Sequence, residues 1–159
     1  GLKVFKQESN MNEDERQLFL ENFKESPHET TLGFCVLGGI FSEGIDLKAD
    51  RLIGAIVVGT GLPGLGSERE LLRTYFEEKS GQGFNYAYLF PGMNKVLQAG
   101  GRVIRTESDK GVIALLDERF NYSGYQRLFP REWIPFDKTD KESVEELVEK
   151  FWTEQINNL

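Results

Sequence analysis

The sequence predicts an α/β protein with a mostly parallel sheet, and two observations support that fold class. Short apolar runs rich in Val, Ile and Leu alternate along the chain with longer segments of helical periodicity. The central runs are continuous rather than alternating, which is typical of strands in a parallel sheet. The resulting order is β-α-β-β-α-α-β, followed by one more amphipathic helix, and it favours a sheet with helices on both faces.

The first half of the chain supplies three strands and one helix. Residues 2–6 alternate between apolar and polar side chains and predict a strand. A helix is expected to begin with residues 12–16, because acidic residues gather in its first turn, and to end at Ser26-Pro27. Residues 31–37 and 52–59 are the continuous apolar runs, so we expect central strands that are covered on both faces.

The second half supplies two helices, one strand and the terminal helix. Periodicity predicts helices over residues 67–79 and 93–105, and residues 111–117 form the last apolar run. Residues 122–135 are aromatic and irregular. An amphipathic helix follows over residues 141–159, and its apolar stripe indicates core packing or a docking face. The stripe consists of Val144, Leu147, Val148, Phe151 and Trp152.

The helix predicted over residues 93–105 carries the pattern that points most directly to a site. Gln98, Arg102 and Arg105 are spaced so that they project from one face of a continuous helix. A glycine pair inside a helix, here Gly100 and Gly101, costs about 1–2 kcal/mol relative to alanine, which favours close approach of another surface. Two planar cations beside a clear space suit a phosphate from outside the domain. Alternatively, the arginines only complement the negative end of the helix dipole.

A second candidate site is the glycine-punctuated loop after residues 31–37. Ser42, Glu43 and Asp46 lie beyond the carboxyl end of that strand, where open α/β sheets bind ligands. The alternative is that Ser42 and Asp46 are ordinary capping and turn residues.

A third glycine-rich segment, residues 59–66, contains G-x-G-x-x-G, and we interpret it as a mobile loop. The dinucleotide fingerprint requires a second strand that ends in an acid roughly 20 residues further on. Here the predicted helix and a glycine-rich turn occupy that interval. The sequence also has no G-x-x-x-x-G-K-[ST], so the chain lacks a phosphate-cradling loop of its own.

Length and charge limit the functional classes. The 159 residues are predicted to form one domain, with a terminal helix over residues 139–159. The net charge of −7 argues against a general nucleic-acid coat. Residues 30–131 are nearly neutral, with twelve basic and eleven acidic side chains, which leaves room for a local basic groove.

Cysteine and histidine usage limits the classes further. Cys35 is the one cysteine and lies in an apolar run, so we expect a buried thiol in a reducing cytoplasm. With His28 as the one histidine, a metal site built on Cys and His is not expected. No apolar run approaches the roughly 20 residues of a membrane-spanning helix. The chain starts at Gly1 rather than at methionine, which predicts a segment of a longer protein.

Four segments, in this order and spacing, resemble motifs of the second motor domain of the XPD/DinG-type superfamily 2 DNA helicases. They are Ser42-Glu43-Gly44-Ile45-Asp46, Gln98-x-x-Gly101-Arg102-x-Ile104-Arg105, Asp109-x-Gly111 and Asp117-Glu118-Arg119-Phe120. Leu128-Phe129-Pro130-x-x-Trp133 is a supporting match. The resemblance covers roughly residues 1–133. It implies a RecA-like, three-layer αβα domain that is truncated at its N-terminal edge, where the family has a further strand and helix.

The resemblance also implies partners and cofactors. In this family the first motor domain of the same polypeptide carries the phosphate-binding loop, the acidic box that binds magnesium and, in many members, an iron–sulfur cluster. Sequence motifs for these groups are not found in this chain. ATP and Mg²⁺ would therefore be held mainly by the first motor domain, and a cluster, where the parent protein has one, would lie outside this chain.

By the family pattern, Arg102 and Arg105 are the catalytic residues, acting as arginine fingers that meet the charge developing on the transferred phosphoryl group. Asp46 would hold the nucleotide ribose or organise the cleft between the domains. The implied nucleotide-binding set is Gln98, Gly44, Asp46, Arg102 and Arg105. The set implied to contact the backbone of single-stranded DNA is Gly39, Ser42 and Glu43.

The predicted function is the second motor domain of an ATP-dependent DNA helicase of DNA repair, which is monomeric, cytoplasmic and inactive as an isolated fragment. One alternative is a non-enzymatic, helicase-derived module whose acidic terminal helix recruits a partner. The cationic helix face argues against that, since scaffolding does not require it. The other alternative is a dinucleotide-binding domain resting on Gly59–Gly64, which tight binding of NAD would favour.

Overall fold

The computed structural model describes residues 1–24, 28–39, 47 and 51–157. The chain divides into two compact units, Gly1–Leu128 and Phe129–Leu159. The described elements of the first unit are β1 (Leu2–Lys6), α1 (Glu13–Glu21), β2 (Thr30–Phe34), β3 (Gly54–Val58), α2 (Ser67–Ser80), a π-helical turn (Asn85–Leu89), α3 (Phe90–Gly100), β4 (Val112–Leu116), a 3₁₀ turn (Glu118–Asn121) and α4 (Ser123–Gln126).

The strands β1 and β2 form a parallel pair, and α1 covers one of its faces. Phe5 lies opposite Gly33 in the register, and its ring meets that of Phe19 edge-on at a centroid distance of 6.3 Å. A Cβ atom at Gly33 would lie 2.7 Å from the ring of Phe23. The glycine therefore lets the aromatic side chains of this region pack directly on the strand backbone.

A capping box fixes the start of α1. The side chain of Asn12 accepts from the N–H of Glu15 at 2.9 Å, and the Glu15 carboxylate accepts from the N–H of Asn12 at 2.8 Å. Such reciprocal bonds satisfy donors that the first turn of a helix leaves without partners. The helix starts where the sequence predicts and ends earlier than expected, at Glu21.

The strands β3 and β4 form a second parallel pair, and the core lies between this pair and α3. Val57 of β3 is 4% exposed, whereas Met93 and Val96 of α3 are 1% and 0% exposed. Helix α3 packs against β3. Because these side chains are almost fully removed from water, each contributes hydrophobic stabilisation to this part of the fold.

Two helical elements lead into α3. The rings of Phe76 on α2 and Tyr86 in the π-helical turn stack at a centroid distance of 4.2 Å. The N–H of Phe90 donates to the carbonyl of Asn85, five residues earlier, and the chain continues directly into α3. Helix α2 ends at Gly81 with φ +65°, a left-handed C-cap that glycine adopts without a steric penalty.

The second unit contains a 3₁₀ turn (Arg131–Trp133) and α5 (Val144–Asn157). The ring of Phe129 contacts the rings of Trp133 and Phe136, at centroid distances of 5.7 and 5.5 Å. No residue of the described part of α5 is fully buried. The expected terminal helix is thus present, and its apolar stripe is only partly covered.

The structure confirms the α/β class, the parallel strand pairing, the order of elements and the terminal helix. Two expectations about burial are wrong. Ile56 and Val58 are 66% and 75% exposed, because within the described residues only one face of the second strand pair is covered. Cys35 is exposed rather than buried, since β2 ends before it, at Phe34. Partial desolvation nevertheless raises the pKa of its thiol.

No helix within the described residues combines the length and the apolar character that a membrane crossing requires.

Candidate functional site

Helix α3 ends at Gly100, not at Arg105 as the sequence predicts. The N–H of Gly101 donates to the carbonyl of Leu97 at 2.8 Å, and the N–H of Val103 donates to that of Gly100 at 3.0 Å. The last turn therefore tightens to the 3₁₀ pattern and stops. Consecutive glycines favour this end, because each lowers helix stability by about 1 kcal/mol relative to alanine.

The single helix face predicted for Gln98, Arg102 and Arg105 is therefore wrong. Gln98 lies on the last turn of α3 and is exposed, whereas Arg102 and Arg105 follow the helix in an irregular segment and are half-buried. Gly100 and Gly101 do not lie inside a helix, as predicted; they end one. The two arginines thus come from a loop after the helix.

Three anchors fix this loop, which we call the arginine loop (residues 101–111). Val103 is 3% exposed, so its side chain holds the start of the loop in the core. The N–H groups of Arg105 and Thr106 both donate to Oδ2 of Asp109, at 2.9 and 2.8 Å. These bonds, that of Arg105 first, stabilise the carboxylate and lower the pKa of Asp109.

The third anchor is Gly111, where the arginine loop returns to β4. A Cβ atom at this position would lie 2.3 Å from Cγ1 of Val103 and 2.8 Å from the carbonyl oxygen of Ile53. Only a residue without a side chain fits between them, so the spacing Asp109-x-Gly111 has a physical reason. Sequence reasoning matched these two residues to a family motif without a role for either. The signal that could have revealed the role of Asp109 is its position four residues after Arg105, since an aspartate side chain commonly bonds nearby backbone N–H groups.

The turn after β2 places the first candidate DNA-binding residue beside α3. Gln7 accepts from the N–H of Val36 at 2.9 Å, and the N–H of Gly39 donates to the carbonyl of Val36 at 2.9 Å. Gly38 has φ +77°, and a Cβ atom there would lie 2.8 Å from Cδ of Lys95 on α3. The stem of Lys95 therefore crosses the turn. Sequence reasoning missed this lysine, although it precedes Gln98 by one helical turn.

The other candidates from this loop are Ser42, Glu43, Gly44 and Asp46, which lie outside the described residues. Their roles in binding nucleotide and DNA stay predictions.

Residues 60–62 of the glycine-rich segment 59–66 pack against α3. Gly61 has φ +65°, and a Cβ atom there would lie 2.9 Å from the carbonyl oxygen of Gly92. A Cβ atom at Gly92 would lie 2.7 Å from the carbonyl oxygen of Thr60, which is 1% exposed. Gly61 and Gly92 thus permit close backbone approach, and the interpretation of segment 59–66 as a mobile loop stays a prediction. Helical structure follows α2 at Asn85, so the βαβ unit of the dinucleotide fingerprint is not formed here.

An ion pair follows β4 within the last matched motif. Asp117 accepts from Nε and Nη2 of Arg119 at 2.8 and 2.7 Å and from the N–H of the same residue at 3.0 Å. These bonds lower the pKa of Asp117 to about 2 and raise that of Arg119. Phe120, 6% exposed, packs edge-on against Tyr125. The pair therefore fixes the chain where it leaves the sheet.

Among the described residues, no group of three or more His, Cys, Asp or Glu side chains lies close enough to hold a metal ion.

Comparisons with known proteins agree with the matched motifs. A family model described as the helicase C-terminal domain matches residues 1–136. The chain is 30% identical over 128 residues to the ATP-dependent DNA helicase DinG of Photobacterium profundum. This match covers 79% of this chain and 18% of that protein. It is 31% identical over 125 residues to the helicase subunit XPD of the general transcription and DNA repair factor IIH of Dictyostelium discoideum. That match covers 76% of this chain and 16% of the XPD subunit.

A third relative is the ATP-dependent DNA helicase chl1 of Schizosaccharomyces pombe, 36% identical over 126 residues, which cover 72% of this chain and 15% of that protein. The matched region spans less than a fifth of each of these three proteins. The family match extends from β1 beyond β4 and includes the arginine loop. The chain therefore belongs to the family of helicase C-terminal domains, of the type found in XPD and DinG.

Proposed function

We propose that residues 1–159 are the second motor domain of an ATP-dependent DNA helicase, with residues 139–159 as its terminal helix. The domain acts with the first motor domain of the same, longer polypeptide, called the parent polypeptide below. The observation that carries this proposal is the anchored arginine loop, which presents Arg102 and Arg105 just beyond the end of α3 in a chain of the helicase C-terminal family.

The electrostatics of α3 support a role for these arginines toward a phosphate. The carboxyl end of a helix carries a partial negative charge, which repels a phosphate group by itself. Arg102 and Arg105, which follow that end in the chain, carry the opposite charge and planar donors that match phosphate oxygens. Gln98, exposed on the last turn of α3, adds a neutral donor and acceptor at the same end.

In the proposed mechanism, ATP lies between the two motor domains. Arg105, with Arg102, stabilises the negative charge that grows on the transferred phosphoryl group, and Gln98 orients the triphosphate. Gly44 and Asp46 complete the nucleotide side, with Asp46 at the ribose. Binding of ATP draws the domains together and hydrolysis releases them, so repeated closure moves the protein along one strand.

The DNA contact is assigned to the loop that begins at Gly39 and continues through Ser42 and Glu43. Backbone N–H groups and hydroxyls bind the sugar-phosphate backbone without reading its sequence. The bonds of Gln7 to Val36 and of Gly39 to Val36 support this role, because they give the start of the loop a defined shape. The contact is expected to be weak, salt-sensitive and indifferent to base sequence.

Magnesium and, where the parent polypeptide has one, an iron–sulfur cluster are assigned to the first motor domain. Magnesium bound with ATP supplies positive charge to the phosphates. We also propose that the chain is monomeric and acts in the cytoplasm, in DNA repair.

The experiment that tests the proposal compares the parent polypeptide with the isolated chain in ATPase and unwinding assays. The parent polypeptide is expected to hydrolyse ATP in a manner stimulated by single-stranded DNA, and the isolated chain is expected to show no turnover. Hydrolysis by the isolated chain at about 1 per second or faster, a rate typical of enzymes, would show that the catalytic centre lies elsewhere.

A non-enzymatic interaction module is the second candidate, and the partly uncovered apolar stripe of α5 favours it. A parent polypeptide that lacks DNA-stimulated ATPase activity but binds a protein partner through residues 144–157 would support this candidate. Binding of NAD by the isolated chain would instead support the dinucleotide-binding alternative.

A further inference from the structure

We infer that Asp109 is a positioning residue for Arg105. It holds the peptide groups from which the arginine side chain projects, and through them it aims the guanidinium at the phosphoryl group. The inference rests on the proposed function, since it assigns the carboxylate to the step in which Arg105 acts.

The geometry places one oxygen atom of Asp109 at two consecutive peptide groups. Oδ2 accepts from the N–H of Arg105 at 2.9 Å and from that of Thr106 at 2.8 Å. The N–H groups on the two sides of the Arg105 Cα atom are thereby fixed to the same acceptor. Because the acceptor is a carboxylate, these bonds are stronger than bonds between neutral groups.

Of the three anchors of the arginine loop described above, Asp109 is the one that bonds the peptide group of Arg105 itself. Val103, 3% exposed, fixes the chain two residues before the arginine, and Gly111 fixes it six residues after. Between these points Ile104 is 41% exposed, so its side chain is held less firmly in the core than that of Val103. Removing the Asp109 carboxylate would break the hydrogen bonds at the N–H groups of Arg105 and Thr106 together, so the backbone on both sides of the Arg105 Cα atom would sample other conformations.

Displacement of Arg105 has a large expected effect on the rate. A catalytic group that moves by about 1 Å can lose about 100-fold in rate, even when the change lies away from the chemistry. A group that acts only in the transition state affects kcat and leaves substrate binding nearly unchanged. The expected signature of Asp109 is therefore a loss of kcat without a matching change in KM.

The test measures ATP hydrolysis by the parent polypeptide in the presence of single-stranded DNA. Asp109→Ala is expected to lower kcat about 10- to 100-fold, with little change in KM for ATP or in affinity for DNA. Asp109→Asn keeps an acceptor oxygen and is expected to recover most of the rate. The matched control is Asp140→Ala, which removes an aspartate that accepts from the backbone N–H of Ser143 in the second unit and should leave kcat unchanged.

The double variant with Arg105→Ala separates positioning from general stability. If Asp109 acts through the arginine, then Asp109→Ala produces no further loss of kcat in the Arg105→Ala background. An equal loss in both backgrounds, or an Asp109→Ala protein with normal kcat, would overturn the inference and leave the proposed function standing. Normal kcat in Arg105→Ala alone would instead overturn the proposed function.

A second measurement covers the case in which Asp109→Ala does not fold. Asp109→Glu keeps the charge but moves the acceptor by one methylene group, so kcat is expected to fall while DNA affinity is retained. Amide hydrogen exchange of the same variant should accelerate at Arg105 and Thr106. Unchanged exchange at both amides, together with unchanged kcat, would overturn the inference.

Discussion

The ion pair of Asp117 and Arg119 predicts a pH-dependent contribution to stability. The carboxylate accepts three hydrogen bonds from Arg119, and these lower its pKa from 3.8 to about 2. The folded state therefore binds this proton less readily than the unfolded state does. The contribution of this ion pair to the free energy of unfolding is fully present above about pH 4 and is lost as the pH falls toward 2.

The magnitude follows from the size of this shift. One unit of pKa corresponds to about 1.4 kcal/mol, so a shift of nearly two units gives at most about 2.5 kcal/mol. The side chain of Arg119 is 40% exposed, and solvent screening reduces the expected value to on the order of 1–2 kcal/mol.

The assay is urea unfolding of the isolated chain and its Asp117→Asn variant between pH 2 and pH 7. The difference in the free energy of unfolding between the two proteins is expected to be largest near pH 7 and to be mostly lost near pH 2. Asp137→Asn, at an exposed position, is the control and should behave like the unsubstituted chain. A difference that does not change with pH, or none at pH 7, would refute the reasoning.

Two further predictions concern α3 and the turn after β2. Gly92→Ala is expected to lower the free energy of unfolding by about 1–3 kcal/mol through overpacking, because its Cβ would lie 2.7 Å from the carbonyl oxygen of Thr60. Gly64→Ala is the control, because no atom lies within 4 Å of the added Cβ. Equal urea midpoints for the two variants would contradict the close packing of Gly92 against Thr60. When a single-stranded oligonucleotide is added to the labelled chain, the amide signal of Gly39 should shift before the signals of residues 144–157. The size of the Gly39 shift should decrease as the salt concentration rises. Shifts confined to α5 would place the DNA contact elsewhere.

Local signals predicted much of the fold. The acids after Asn12 placed the start of α1, the alternation over residues 2–6 placed β1, and the apolar runs placed the other three described strands within a few residues. Burial was predicted less well, because it depends on what packs against a strand rather than on the strand itself. Ile56 and Val58 belong to an apolar run but face away from α3, and Cys35 lies beyond the end of β2.

The geometry of the candidate site was predicted wrongly, and the roles of its residues stay predictions. Arg102 and Arg105 keep helical spacing in the sequence, yet the helix ends at Gly100, because Gly100 and Gly101 weaken it and Val103 turns into the core. Tertiary contacts of this kind override local periodicity. The anchoring role of Gly111 also depends on Ile53, a residue far away in the sequence, so no local pattern reveals it.

The most direct test of the central claim is the turnover number of the parent polypeptide when Arg105 is replaced. Arg105→Ala is expected to lower DNA-stimulated ATP hydrolysis by roughly 10³-fold or more, while folding and binding of single-stranded DNA stay nearly intact. Arg105→Lys should restore little, because an ammonium group lacks the planar fork of the guanidinium. Arg131→Ala, at an exposed position of the second unit, is the control and should keep its rate. Near-normal ATPase activity of Arg105→Ala, or its simple unfolding, would contradict the assignment of Arg105 as an arginine finger.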